Sequence, residues 1–170
     1  MARTAPPSVS KRQIGGVCLG NAIEFYDFVT YAYFATQIGR TFFPSDTPGL
    51  SLLASLATFG VGFLTRPLGA ILLGRFADRV GRKPAMLVSF GLMGFASLAL
   101  PLIPSYAAIG VAAPIMVVLC RLIQGFAVGG EGGAATAFLM EGAPINRRGL
   151  YTSLQAMSGL DYVRPEEVAA

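Results

Sequence analysis

The chain contains no histidine, which excludes imidazole catalysis and histidine-ligated metal sites. It has only two cysteines, Cys18 and Cys120, both inside apolar runs. Two thiols cannot complete a four-ligand zinc site, so they are read as small packing residues. No nucleophile–base pair stands outside the apolar runs, so neither an enzyme nor a cofactor is expected. Charge is also scarce. Lys, Arg, Asp and Glu make up 13% of residues, against about 25% in soluble domains. The cations cluster at the ends of apolar runs rather than on a face with interleaved aromatics, so nucleic acid is not an expected partner. What fills the gap is 54% hydrophobic residues and 21 glycines, the composition of helices packed in a lipid bilayer.

In chain order, residues 1–13 form a polar tail, and no cleavable signal precedes the first long apolar run. That run, from Ile14 to about Phe42, exceeds the roughly 20 residues that span a bilayer. A turn with Pro44 and Pro48 follows. A second run covers Leu50 to Leu73, interrupted at Arg66-Pro67. After a short basic loop, a third run extends from about Ala85 to Leu102, with Pro84 suited to a helical first turn. The fourth covers about Ala113 to Met140. A polar loop from Glu141 to Gly149 leads into an amphipathic stretch from Leu150. Arg3, Lys11, Arg12, Arg75, Arg79, Arg82, Lys83, Arg147 and Arg148 fall on one side of these runs, and Arg40 stands alone on the other. That asymmetry predicts a multi-pass membrane protein with a cytoplasmic N-terminus.

Five ionisable residues sit inside the runs: Glu24, Asp27, Arg66, Arg121 and Glu131. Each costs at least about 2.5–3.5 kcal/mol if it faces lipid at the bilayer centre, so they must face one another or water. The helical rise puts Glu24, Arg66 and Glu131 at comparable depths, roughly 12–15 Å from their helix ends. Asp27 lies one turn deeper on the Glu24 face. Three acids meet two arginines, and the excess buried carboxyl is a natural proton carrier. The alternative is a set of purely structural ion pairs, which for Arg66 beside Pro67 weighs about equally. On the fourth helix Arg121, Gln124 and Glu131 share a sector roughly 80° wide. Gly125, Gly129 and Gly133 form a stripe beside it that lets another backbone approach closely. Gly16 and Gly20 repeat that spacing in the first helix. Aromatic residues crowd the first helix, and Tyr31, one turn beyond Asp27, is placed to contact substrate.

The basic loop reads Gly74-Arg75-Phe76-Ala77-Asp78-Arg79-Val80-Gly81-Arg82-Lys83-Pro84. It resembles the cytoplasmic loop between helices 2 and 3 of the major facilitator superfamily, G-x-L-a-D-R-x-G-R-[KR], with Phe76 in place of the usual Leu. Three further stretches resemble the metabolite:H+ symporter branch. They are Gly20-Asn21-Ala22-Ile23-Glu24-Phe25-Tyr26-Asp27-Phe28, Gly62-Phe63-Leu64-Thr65-Arg66-Pro67-Leu68-Gly69, and Arg121 through Glu131. Together the matches cover about Ile14 to Gly159, the first third of such a transporter.

The resemblance implies an all-α integral membrane protein: four transmembrane helices and a truncated fifth (residues 14–159), the first part of a twelve-helix fold with alternating access. It implies proton-coupled transport of a small carboxylate such as citrate or a dicarboxylate, with proton and substrate roles for Glu24, Asp27 and Arg121. Arg66, Gln124, Glu131 and Tyr31 join them as candidates. Gly74, Asp78, Arg79, Gly81, Arg82, Lys83 and Glu141 become a cytoplasmic gating motif. Residues 160–170 turn polar, with Pro165, the pattern expected of a prematurely stopped or frameshifted gene, or of a chain cut at helix 5, that would not transport alone. The competing reading is a small membrane interaction protein that self-associates through Gly125, Gly129 and Gly133.

Overall fold

A computed structural model describes residues 11–47, 49–144 and 148–160. The expectations that fall on the tail before Lys11, on Arg147 and on residues 161–170 lie outside them. Every regular element among the described residues is helical. The elements are α1 (Lys11–Tyr33), α2 (Ala35–Phe42), α3 (Leu50–Val80), α4 (Arg82–Ala99), a 3-10 turn (Leu100–Leu102), the single-turn α5 (Tyr106–Ile109), α6 (Ala112–Gly142) and α7 (Arg148–Leu160). Three segments are long and apolar enough to cross a membrane: Leu50–Val80, Arg82–Leu102 and Ala112–Gly142.

The first expected span is not among those three. It divides at Phe34 into α1 and α2, and α1 carries Asn21, Glu24 and Asp27 among its apolar residues. Three of the four expected crossings are thus shown by length and apolarity.

Two further expectations are corrected. The second run is not interrupted at Arg66-Pro67, because α3 continues through Pro67 for 31 residues. Proline offers no N–H to the carbonyl four residues back, and α3 keeps its path by packing closely along α6. The Thr65 hydroxyl sits 3.0 Å from the Gly62 carbonyl oxygen and 2.8 Å from that of Leu122 on α6. The basic stretch is also mostly not a loop. Helix α3 runs through Gly74 to Val80, and α4 starts at Arg82. The whole reversal is made at Gly81, with φ +119°, a region open to glycine and costly for other residues. Continuing the helix buries Ala77 among Val17, Ala85, Met86, Ala134, Ala135 and Leu139, which an irregular loop would not do.

Helices α3 and α6 form the central pair. Contacts advance in the same direction along both, from Gly62 near Arg121 and Gly125 to Gly69 near Phe126 and Leu73 near Gly130, so the two run parallel. The approach is backbone to backbone. A Cβ at Gly125 would overlap the Gly62 carbonyl oxygen, one at Gly129 that of Arg66, and one at Gly69 that of Phe126. The stripe predicted to admit another backbone therefore admits α3 of the same chain at Gly125 and Gly129. Gly133 faces open space. Association of two copies through all three glycines would have to displace α3 at the first two.

Helix α1 lies antiparallel to α3, pairing Phe28 with Phe59 and Phe63, and Tyr31 with Phe59 and Ser55. Helix α7 docks on α1, where the Asn21 amide nitrogen donates to the Gln155 carbonyl at 2.9 Å and to the Ser158 hydroxyl at 3.0 Å. A second apolar cluster joins Phe42, Ala96, Ile103, Ala113, Val117 and Cys120. On α6 the polar segment from Arg121 to Glu131 falls between this cluster and the one around Ala134 and Leu139. Large apolar side chains point outward along α3 and α4, among them Leu64, Phe95 and Leu98. An exposed apolar surface of this extent suits contact with lipid.

Candidate functional site

The fold joins Asp27 and Arg121. An Arg121 guanidinium nitrogen lies 2.8 Å from Asp27 Oδ2. The other carboxylate oxygen accepts from the Ser97 hydroxyl at 3.2 Å and from the Gln124 amide at 3.2 Å. Gln124 also donates to Ser97 Oγ at 3.0 Å. Arg121 and Gln124 are buried, so the arginine is worth retaining at this depth only if its charge is met. Below it, the Tyr31 ring lies 3.8 Å from the guanidinium carbon, within cation–π range. The Tyr31 hydroxyl donates to the Ser55 carbonyl at 3.1 Å, and the ring stacks on Phe59 with centroids 5.4 Å apart, within the usual range for aromatic pairs. Tyr31 is 2% exposed. The structure thus uses Tyr31 to seat Arg121.

The Asp27–Arg121 pair opens onto a cavity of about 650 Å³ between α1, α2, the end of α4 and α6, lined also by Tyr26, Thr30, Gln37, Thr41 and Ser97. Glu24, three residues before Asp27, does not share it. Glu24 lines a separate cavity of about 520 Å³ with Asn21, Arg66, Glu131 and Gln155. The expected layer of Glu24, Arg66 and Glu131 is therefore assembled, and Arg66 also lines a small crevice with Asp27, Arg121 and Gln124. Phe28 and Phe63 line that crevice as well. The Arg66 guanidinium carbon lies 4.9 Å from the Phe28 ring centre and 4.3 Å from that of Phe63.

The expected gating motif is only partly drawn together. Arg82 reaches Asp78 at 2.8 Å and Glu141 at 3.5 Å, so one guanidinium ties α4 to the ends of α3 and α6. Both carboxylates are more than half exposed, and such a pair in water contributes at most about 1 kcal/mol. Arg79 and Lys83 point outward. Gly81 supplies the bend, and Gly74 lies within α3 with open space beside it. Among the described residues no cluster of three or more His, Cys, Asp or Glu could hold a metal ion.

Sequence reasoning missed Ser97, Asn21 and Gln155. A serine in an apolar run carries no charge signal, and its role appears only when α4 lies beside Asp27. Asn21 was visible as a polar residue one turn before Glu24, but its partners on α7 were not.

Residues 16–158 match the family described as "Sugar (and other) transporter". The chain is 43% identical over 156 residues to the citrate-proton symporter of Salmonella typhi, covering 89% of this chain and 36% of that one. It is 44% identical over 147 residues to the shikimate transporter of Escherichia coli K12, covering 86% and 34%. It is 42% identical over 142 residues to the alpha-ketoglutarate permease of the same organism, covering 84% and 33%. The chain spans about a third of the length of these curated relatives. No solved structure matches it. With charged residues gathered inside apolar helices and this match over most of its length, the chain belongs to the sugar (and other) transporter family of the major facilitator superfamily, and is transporter sequence rather than enzyme.

Proposed function

We propose that this chain is part of a proton-coupled symporter of the metabolite:H+ branch, moving a small carboxylate such as citrate or a dicarboxylate. The observation that carries the reading is the Asp27–Arg121 pair, buried at 2.8 Å and opening onto a large cavity, in a chain whose relatives include a citrate-proton symporter. Coupling needs a carboxyl that gains and loses a proton beside the substrate path. Glu24, Asp27 and Glu131 supply carboxyls, and Arg66 and Arg121 supply the cations that oppose them. Gln124 and Tyr31 orient the Asp27–Arg121 pair.

A chimera tests this. Residues 14–159 replace the matching part of the Salmonella citrate-proton symporter, and citrate uptake is followed in vesicles with an imposed proton gradient. Uptake abolished by a protonophore is expected. A chimera that inserts normally yet takes up nothing would overturn the reading.

By itself the 170-residue chain is proposed not to transport, because alternating access needs two halves moving about a central site. Liposomes carrying it should accumulate no more labelled citrate than empty ones. Accumulation that Glu24→Gln abolishes would favour a small oligomeric transporter instead.

The membrane arrangement belongs to the same proposal: four crossings and the start of a fifth in the bacterial inner membrane, with the N-terminus and the Arg75–Lys83 segment cytoplasmic. The basis is the one-sided distribution of cations. With Cys18 and Cys120 replaced, a cysteine at Ser45 should react with an impermeant maleimide added from the periplasm, and one at Arg82 should not. The opposite pattern would reverse the orientation.

A further inference from the structure

The two arginines inside the apolar helices are not equivalent. Arg121 is neutralised by Asp27 at 2.8 Å. Arg66 makes no salt bridge within 4 Å among the described residues, and its Nε is buried without a hydrogen-bond partner. Its guanidinium is braced by Phe28 and Phe63 and lines the cavity of about 520 Å³. Glu24 is within electrostatic reach of it without forming a close pair. Amide groups of Asn21 and Gln155 border the same space. Arg121 also has an unpartnered Nε, but its charge is already met.

We propose that Arg66 is the carboxylate-binding cation of this segment, and that an anion occupies its cavity only when Glu24 and Glu131 are protonated. The inference rests on the symporter reading above and assigns its anion to one cavity. The geometry supplies the coupling. One cation shares an open cavity with two carboxyls, so an entering carboxylate meets one opposite charge and two like charges. Like-charge contact at short range is strongly unfavourable. Protonation of the two glutamates removes it and leaves Arg66 as the attracting group. The substrate carboxylate keeps its charge, and the protons stay on Glu24 and Glu131 until it leaves. The other charged groups nearby are Asp27 on α1 and Arg121 on α6, which neutralise each other. The described part of α7 beside the cavity contributes the uncharged Gln155.

The test uses the 170-residue chain in lipid nanodiscs and follows its arginine Nε–H resonances by NMR. The Arg66 and Arg121 signals are assigned by their loss in Arg66→Lys and Arg121→Lys. The probe is tartrate, whose two carboxylates stay ionised between about pH 5.5 and pH 8. Tartrate should move the Arg66 signal and leave Arg121 unmoved, with binding at least about tenfold tighter at the lower pH. The Glu24→Gln, Glu131→Gln double variant should bind at the higher pH as wild type does at the lower. Sulfate at equal concentration separates carboxylate recognition from general anion attraction, and should shift Arg66 less. The proposal is overturned if tartrate moves the Arg121 signal instead, moves neither, or binds equally at both pH values. It is overturned equally if sulfate matches tartrate. These outcomes are separate from the chimera's uptake, which tests whether the parent is a symporter at all.

Discussion

Arg121→Gln is expected to destabilise the protein by about 3–5 kcal/mol and, in the citrate-symporter chimera, to abolish uptake. The substitution leaves Asp27 without a cationic partner, in a site where its other partners are the neutral Ser97 and Gln124. Two neutral donors cannot replace a guanidinium at 2.8 Å, because removing one member of a buried pair leaves the full desolvation cost of the other. Asp27→Asn should be damaging for the same reason, since Arg121 is then the orphan. The double variant, Asp27→Asn with Arg121→Gln, should regain much of the lost stability without regaining uptake. Thermal unfolding of each variant in detergent reads the stability, and vesicle uptake reads the function. Unchanged stability in Arg121→Gln would show that the pair is not what holds α1 against α6. Undiminished uptake would remove Arg121 from the mechanism. Ser97→Ala should have a smaller effect, about 1 kcal/mol, the usual loss for one hydrogen bond.

The second large effect is expected at the α3–α6 contact. Gly125→Val and Gly129→Val should each lower stability by the upper end of, or beyond, the about 1–3 kcal/mol usual for overpacking. The added Cβ meets carbonyl oxygens of Gly62 and Arg66. A backbone atom cannot rotate away as a side chain can, so the two helices must separate. Separation also breaks the setting of Thr65 against Leu122 and shifts Arg66 relative to its cavity. Gly133→Val is the internal control. A Cβ there meets nothing within 4 Å, so its effect should stay within about 0.5 kcal/mol. Equal damage at all three positions would mean that glycine acts here through something other than the α3 contact. A change in oligomeric state by Gly133→Val alone would assign that glycine to contact between copies.

Both predictions rest on neighbours that are far apart in the chain, and the limits of sequence reading follow from that. Composition and charge placement were enough to determine a helical membrane protein, because a charge costs so much in lipid that its position along an apolar run is informative without any fold. The motifs around Gly20–Phe28, Gly62–Gly69 and Arg121–Glu131 were enough for the family. Helical rise was enough to put Glu24, Arg66 and Glu131 in one layer, since depth follows from residue count. Periodicity, however, gives the face of a helix and not what covers it. Asp27 and Glu24 are three residues apart and about 60° apart around α1, and only the fold shows that the two line different large cavities. The glycine stripe announced a close approach, but only the parallel packing of α3 along α6 decided that the approaching backbone belongs to the same chain. The basic segment looked like a loop because it is polar. It is helical because burying Ala77 beside Leu139 is worth more than solvating the backbone, and because Gly81 alone can make the turn. Ser97 was silent in the sequence, since a hydroxyl in an apolar helix becomes meaningful only when a carboxylate from another helix arrives beside it.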